Sequence, residues 1–431
     1  MTDTAIPTTS ASLPAIGGPA GAAAVLRLPR LVHFGPGAIA SAPSMVASFD
    51  ERVLVCTDRT MAGTPPFRRL LDALREAGCR VEVYAEGEPE LPAATIDAAV
   101  RTGSAATPGV IVGYGGGSSI DLAKVTALLL AHLGPISRYY GENLVPGPVV
   151  PVVAVPTTAG TGSEVTPVAV VADPDREFKV GVSSPHLIPA AAVVDPDLTR
   201  GCPMTVRAHS GADALAHAME ALTAGRRRTD WAAELPVFVG AQLLGDALAL
   251  EAASVIGLSL RQVVANENDD AARVAMSYGS TCAGMAFGTS GTHLGHALQY
   301  SIGKATSTSH GLGVGLLLPY VLAAVHPSSV APLTRVAEAW GMSVDDPVRA
   351  VIGEVAAICA AIGLPASLAD LGLAQGDLPR LAEQSATFTR LVANAPVAAD
   401  GALLLELLRA AWAGDLDLAY ELGSTYGGGG R

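Results

Sequence analysis

Rings and charges are both scarce in this 431-residue chain: aromatics make up 4% and charged residues 16%. Packing therefore falls to Ala, Val, Leu and Gly, and a chain that is half hydrophobic must bury large faces, a subunit interface among them. Basic residues are outnumbered 27 to 40 by acidic ones, a net charge of −13, which excludes a nucleic-acid backbone as partner. The five cysteines (Cys56, Cys79, Cys202, Cys282, Cys359) are scattered and form no CxxC pair. That excludes a disulfide framework and a thiolate metal site, and fits a reducing cytoplasm. No Lys or Arg precedes Arg27, so residues 1–27 lack the basic start of a signal peptide and read as a flexible leader. The longest apolar run, Gly313 to Val325, is broken by Pro319. It is too short to span a bilayer, and no membrane is expected.

A chain of this length predicts two domains. Between Leu28 and Arg200, short β-branched runs alternate with helical stretches. Val53–Thr57, Arg80–Tyr84 and Gly109–Gly113 read as strands, and Pro66–Ala77 and Ala93–Thr102 as helices. Further strands are expected in VVPVVAVP, VAVVAD and AAVVD. Such alternation predicts an α/β domain with a parallel sheet over 28–200. After Cys202-Pro203 apolar residues recur at helical spacing, predicting an all-α domain over 201–422. The last residues, 423–431 (GSTYGGGGR), read as a disordered tail.

The α/β half holds a glycine loop, GGGSSIDLAK (Gly115 to Lys124), placed after a strand and opening a helix. Glycines let the backbone approach a phosphate, and the helix N-terminus supplies free N–H groups and a positive dipole end. Ser118 and Ser119 can cap that helix. A tight strand-to-helix turn without a ligand would read the same. The loop is not GxGxxG and follows the third predicted strand, which disfavours an ordinary Rossmann domain. Asp58 ends the first predicted strand and is either a plain turn residue or, in combination with the glycine loop, a carboxylate that would accept from an adenosine ribose and repel a 2′-phosphate, favouring NAD over NADP. PTTAGTGSEVTP (Pro156 to Pro167) offers small hydroxyl residues that can wrap a nucleotide. Lys179 is either a ribose or phosphate contact or a solvated edge charge.

The helical half holds Asp213 and His217, four residues apart and so on one helical face, with His296 and His310 farther along. One Asp and three His suit a borderline divalent cation such as Fe(II) or Zn(II), with positions open for a substrate oxygen. His293, three residues before His296 on the same predicted helix, is a candidate ligand, a pocket group or a buried structural histidine. His186 and His209 read as structural or surface residues. Arg226-Arg227-Arg228 reads as a solvated loop, with an anchor for an anionic substrate as the alternative.

GGGSSIDLAK, PTTAGTGSEVTP, VVDPDLT, GADALAHAME, HALQYSIG and SHGLGVGLLLPYV occur in the order found in the iron-containing (group III) alcohol dehydrogenases. The resemblance covers roughly Leu28 to Leu422. It implies an α/β dinucleotide-binding domain and an all-α metal-binding domain, a dehydroquinate synthase-like architecture with the active site in the cleft between them. It further implies Asp213, His217, His296 and His310 as ligands, with Fe(II) the expected ion and Zn(II) the alternative. Gly115, Gly116, Gly117 and Ser118 would bind the pyrophosphate of NAD, and Asp121 is counted with the cofactor-binding residues. Thr157, Thr158, Thr161 and Ser163 would line the nicotinamide half, Asp58 would meet the adenosine ribose, and Lys179 would lie near the cofactor ribose.

The departure is Tyr300. Many members of the family carry a second histidine four residues after the third ligand, credited with proton relay. With a pKa of about 10 a tyrosine donates hydrogen bonds but is a poor shuttle near neutrality. His293 and Tyr300 are therefore the candidate catalytic residues, and the arrangement looks nearer the hydroxyacid–oxoacid transhydrogenase branch. The expected activity is metal-dependent, NAD(P)-linked alcohol dehydrogenation or aldehyde reduction in a homodimer or larger homo-oligomer. A transhydrogenase with tightly held NAD and a dehydroquinate synthase-like lyase are the alternatives.

Overall fold

The structure is a computed structural model and describes residues 23–426; residues 1–22 of the expected leader and 427–431 of the expected tail lie outside it. Nine strands fall before residue 195: β1 Leu31–Phe34, β2 Arg52–Asp58, β3 Arg80–Gly87, β4 Val110–Gly115, β5 Gly141–Glu142, β6 Val152–Pro156, β7 Val168–Val171, β8 Val180–Ser183 and β9 Ala191–Val194. Six of them form a parallel sheet in the order β1-β9-β6-β4-β2-β3. Interleaved helices are α1 Ala42–Ala47, α2 Arg59–Ala62, α3 Pro65–Glu76, α4 Ala93–Ala106 and α5 Gly117–Ala131. Alternation within the central strands serves two buried faces. Val53, Val55, Val110 and Val112 pack on one side with Phe67 and Leu70 of α3. Leu54, Cys56 and Ile111 pack on the other with Leu122 and Leu128 of α5. Strands covered on both sides read as continuous apolar runs, which is why the sequence exposes them clearly.

Strand order reverses between β2 and β4: the chain steps outward from β2 to β3, then returns to the other side of β2. In open α/β sheets that reversal opens a crevice at the carboxyl ends of the two strands. Asp58 and Gly115 stand at those two ends. The smaller sheet, β5-β8-β7, flanks the crevice.

From Met204 onward the chain is helical: α6 Met204–Thr223, α7 Leu243–Ala265, α8 Asp270–Ser290, α9 Leu294–Thr306, α10 His310–Val325, α11 Val330–Ala339, α12 Pro347–Ala361, α13 Leu378–Ala386, α14 Thr389–Ala393, α15 Gly401–Ala413 and α16 Leu416–Tyr426. α10 is apolar all round, as a core helix must be, and every residue from Gly313 to Val325 is buried. By length and composition α7 and the α10 segment could each cross a membrane. That corrects the length argument above, although residues of both helices pack in the helical core.

The fold class expected from the sequence is the one found. Three details differ. A short strand, β1, precedes the first expected one, so the glycine loop follows the fourth strand. Residues 423–426 continue α16 rather than fraying, because Leu422 and Gly423 are buried and Gly423 is pressed against Ala323 and His326. At the other end, Arg27 is tied down: its Nη1 donates to the Val237 carbonyl at 2.9 Å.

Candidate active site

Spacings of four and three along α6 bring Asp213, His217 and Glu220 to one buried face. His296 is the third residue of α9, and His310 is the first of α10. Gly311 lets α10 close on α6, since a Cβ there would lie 2.1 Å from the His209 carbonyl oxygen and 3.2 Å from the Asp213 Cβ. The Nε2 atoms of His217, His296 and His310 then lie 3.6, 3.8 and 3.7 Å from one carboxylate oxygen, Asp213 Oδ1. A cation about 2.1 Å from its donors spaces tetrahedral ligands by roughly that distance; donor atoms of Asp213, His296 and His310 all lie within 4.8 Å of one another, and His217 joins that group through its approach to Asp213 Oδ1.

Hydrogen bonding leaves the same atoms free. His217 Nδ1 faces the Gly160 carbonyl at 3.3 Å and His296 Nδ1 the Glu220 carboxylate at 2.6 Å, so each ring donates from Nδ1 and presents a bare Nε2. Asp213 Oδ1 and His296 Nε2 are buried without any partner. Burial, helped by the neighbouring imidazoles, holds His217 and His310 well below the usual histidine range, and therefore neutral. Burial also pushes the Asp213 carboxyl up to about 7 against the pull of His296. Neutral imidazoles, one carboxylate and orphaned buried acceptors fit a divalent cation.

Glu220 was not singled out in the sequence, although its spacing from His217 was readable. Buried in the apolar interior, its carboxylate accepts from His293 N (3.0 Å), Gly295 N (2.6 Å) and His296 Nδ1. It thereby caps the N-terminus of α9 from another helix and orients His296. Burial opposes its charge, but the neighbouring His293 and His296 rings, with the bonds from His296 Nδ1 and His293 N, prevail and hold it down at about 2. His293 is not on the helix with His296 as expected; it is the residue before α9. Its Nε2 bonds Thr223 Oγ1 at 3.0 Å and its Nδ1 lies 3.6 Å from Glu220. Fully buried behind Glu220, it does not line the cleft.

Across the cleft, Gly115 has φ +145°, a conformation that side chains rarely adopt. A Cβ at Gly117 would lie 2.7–3.0 Å from the Thr161 side chain. Thr157 N donates to the Gly115 carbonyl at 2.9 Å, and Thr158 lies beside Gly116. The loop is thus braced by the second polar segment. Asp121 accepts from Ser163 Oγ at 2.5 Å and Val170 N at 2.9 Å, a bracing role in addition to its place on the cavity wall. Asp58 caps α2 through Met61 N at 2.9 Å. Ser118 Oγ accepts from Glu90 N at 3.2 Å, and Lys179 pairs with Glu90 at 2.7 Å.

A cavity of about 220 Å³ joins the two halves, with Gly117 and Ser118 on one wall and Asp213, His296 and His310 on the other. Tyr300, one turn beyond His296, lines it, with ring centroids 5.9 Å from His310. Burial raises its phenol further above the ordinary value, so it stays protonated near neutrality. Phe238, Phe287 and Arg390 complete the wall; none carries a sequence signal. A larger cavity, about 580 Å³, lies between residues 222–227 and 386–399 and is lined by none of Asp213, His217, His296 and His310. Arg226 and Arg227 line that one; they pair with Asp246 and with the Ala393 carbonyl, not with the cleft.

A nucleotide-type crevice facing a carboxylate–imidazole cluster across one cavity defines a two-domain, metal- and nucleotide-dependent enzyme. Two family descriptions match: iron-containing alcohol dehydrogenase over residues 29–196, and the C-terminal domain of the Fe-containing alcohol dehydrogenase family over 207–412. The chain belongs to the iron-containing alcohol dehydrogenase family, and it is an NAD-linked oxidoreductase of alcohols and aldehydes. It is 33% identical over 389 residues to a sulfoacetaldehyde reductase of Bilophila wadsworthia, covering 88% of this chain and 97% of the relative. A long-chain-alcohol dehydrogenase of Geobacillus thermodenitrificans is 32% identical over 397 residues, covering 90% and 96%. Among solved structures, the sulfoacetaldehyde reductase of Bifidobacterium kashiwanohense in complex with NAD+ superposes with a TM-score of 0.78 at 26% identity, covering 90% and 98%.

Proposed function

We propose that Asp213, His217, His296 and His310 hold a divalent cation, Fe(II) before Zn(II), and that the glycine loop with Asp58, Thr157, Thr158, Thr161, Ser163 and Lys179 holds NAD(H) opposite. The observation that carries this reading is the convergence of three imidazole Nε2 atoms on Asp213 Oδ1, in a cavity shared with Gly117 and Ser118. When bound, the cation supplies Lewis acidity to the substrate oxygen, and the nicotinamide gives or takes the hydride. The chain's own groups do the rest. Glu220 and the Gly160 carbonyl fix two imidazole tautomers, Phe238 and Phe287 keep water off the reacting carbon, and Tyr300 Oη holds its proton as a hydrogen-bond donor. With His293 buried behind Glu220, the alcohol proton leaves by solvent rather than through that ring.

Free cysteines throughout support a cytoplasmic site of action, and the apolar composition supports a homo-oligomer, which light scattering would measure. The test is reconstitution with Fe(II) or Zn(II), followed by alcohols and aldehydes assayed with NADH and NADPH by nicotinamide absorbance. Full metal occupancy in both His296→Ala and His310→Ala would overturn the ligand assignment. Turnover between a hydroxyacid and an oxoacid without added NAD would move the activity to transhydrogenation, and substrate loss with no nicotinamide change would move it to a lyase.

A further inference from the structure

The cleft contains a partly exposed cation, one of whose nitrogens is buried without a hydrogen-bond partner. Arg390, on the short helix α14, lines the same cavity as His296 and His310. Its guanidinium carbon sits 4.3 Å over the Phe238 ring, which fixes the plane of the group. Its Nη1 is buried and has no hydrogen-bond partner. The nearest carboxylate, Glu142, lies 3.7 Å from Nε, past hydrogen-bond reach, and its other oxygen accepts from Val237 N at 3.1 Å. An arginine keeps its charge at any working pH, and a buried N–H donor left bare costs stability that a ligand accepting from it would recover. The other cation on this wall, Lys179, already has Glu90 at 2.7 Å.

Position supports the same conclusion. Tyr300 lines the same cavity: its ring lies 5.9 Å from His310 and 4.9 Å from Phe388, two residues before Arg390. Asp213, His296, His310 and Arg390 line one cavity of about 220 Å³, so a short molecule with its reacting oxygen at the Asp213 cluster shares that space with the guanidinium. With the function proposed above as its basis, we infer that the physiological substrate is a short aldehyde or alcohol bearing an anionic oxyacid head, carboxylate or sulfonate, received by Arg390. Planar N–H donors in a fixed fork suit either head. The rival is a purely structural Arg390 that pairs the two domains through Glu142.

Metal-loaded wild type, Arg390→Gln, Arg390→Lys and Glu142→Gln are compared on matched pairs: succinic semialdehyde with butanal, and sulfoacetaldehyde with propanal. Wild type should prefer the anionic member of at least one pair, and which pair it is distinguishes carboxylate from sulfonate. In Arg390→Gln that preference in kcat/KM should fall by about 30-fold, chiefly through KM. Arg390→Lys should restore part of it and Glu142→Gln should preserve it. No anionic preference in wild type, equal losses on both members in Arg390→Gln, or the same loss in Glu142→Gln would overturn the inference. Propanoate and ethanesulfonate, scored as ligands of the metal-loaded wild type by thermal shift, give a readout that needs no turnover. Failure to reduce any aldehyde while an anion still binds through Arg390 would sink the proposed function and the substrate reading together, and leave only Arg390 as an anion-binding group. Binding of neither anion would overturn the inference.

Discussion

Replacing Glu220 by Gln removes one charge and adds two N–H donors in a place already crowded with donors. The carboxylate takes Gly295 N on Oε1, and His293 N with His296 Nδ1 on Oε2. The amide oxygen can keep the Oε2 pair, but its NH2 then faces the Gly295 N–H, donor against donor. One buried bond is lost and two are weakened, which should cost about 2–3 kcal/mol of folding stability in metal-free protein. His296 would donate to a neutral acceptor, making Nε2 less basic and its ring less firmly held. Metal affinity should fall about 10–100-fold, or roughly 1.4–2.7 kcal/mol. Chelator competition gives the metal Kd, and urea unfolding of the chelated protein gives the stability term separately. A destabilised apoprotein with an unchanged metal Kd would refute the orienting role and leave Glu220 as a helix cap alone.

His293→Ala should lose about 2–4 kcal/mol in urea unfolding, from the emptied site and the lost ring bond to the Thr223 hydroxyl, which keeps the Met219 carbonyl at 2.7 Å, with the pH profile of kcat unmoved; a displaced inflection would restore His293 as a proton carrier. Tyr300→Phe should leave the kcat profile below pH 9 or so unchanged in shape, because burial keeps the phenol protonated there; a lost inflection near neutrality would show that the phenol titrates. Lys124 is fully buried, donating to the Thr166 and Val168 carbonyls at 2.9 Å, and burial lowers its pKa to about 8 against the opposing pull of Asp121 and Glu164. A lysine depressed in the folded state destabilises while charged, so its contribution should improve as pH rises from about 8 towards the unfolded value of roughly 10.4. Stability of wild type relative to Lys124→Met should climb across that window, and a flat difference would mean that the ammonium is not depressed.

Asp213 and His217 were legible because a four-residue step on a helix is a contact in itself. His296 and His310 sit on two other helices, and only the order of familiar segments joined them to the first pair. Glu220 stood in the same ten-residue segment as Asp213, and its third-residue spacing from His217 was enough to place it on that face. His293 was put on a helix one residue too early: an interior carboxylate, not local preference, sets where α9 starts. β1 escaped notice because four half-exposed residues beside Gly35 and Gly37 carry no alternation. Arg390 could not be read at all, since a five-residue helix has no period and its meaning lies in what stands across the cleft.

Gly160 belongs to the nucleotide-side loop, yet its carbonyl orients His217, and a Cβ there would lie 2.5–2.6 Å from Ser210 atoms of α6. One peptide thus serves both halves of the enzyme, and whatever settles that loop also settles an imidazole tautomer. By reciprocity of linked equilibria, a nucleotide that stiffens the loop must tighten the cation by the factor that the cation tightens the nucleotide. The affinity of each then depends on whether the other is already in place.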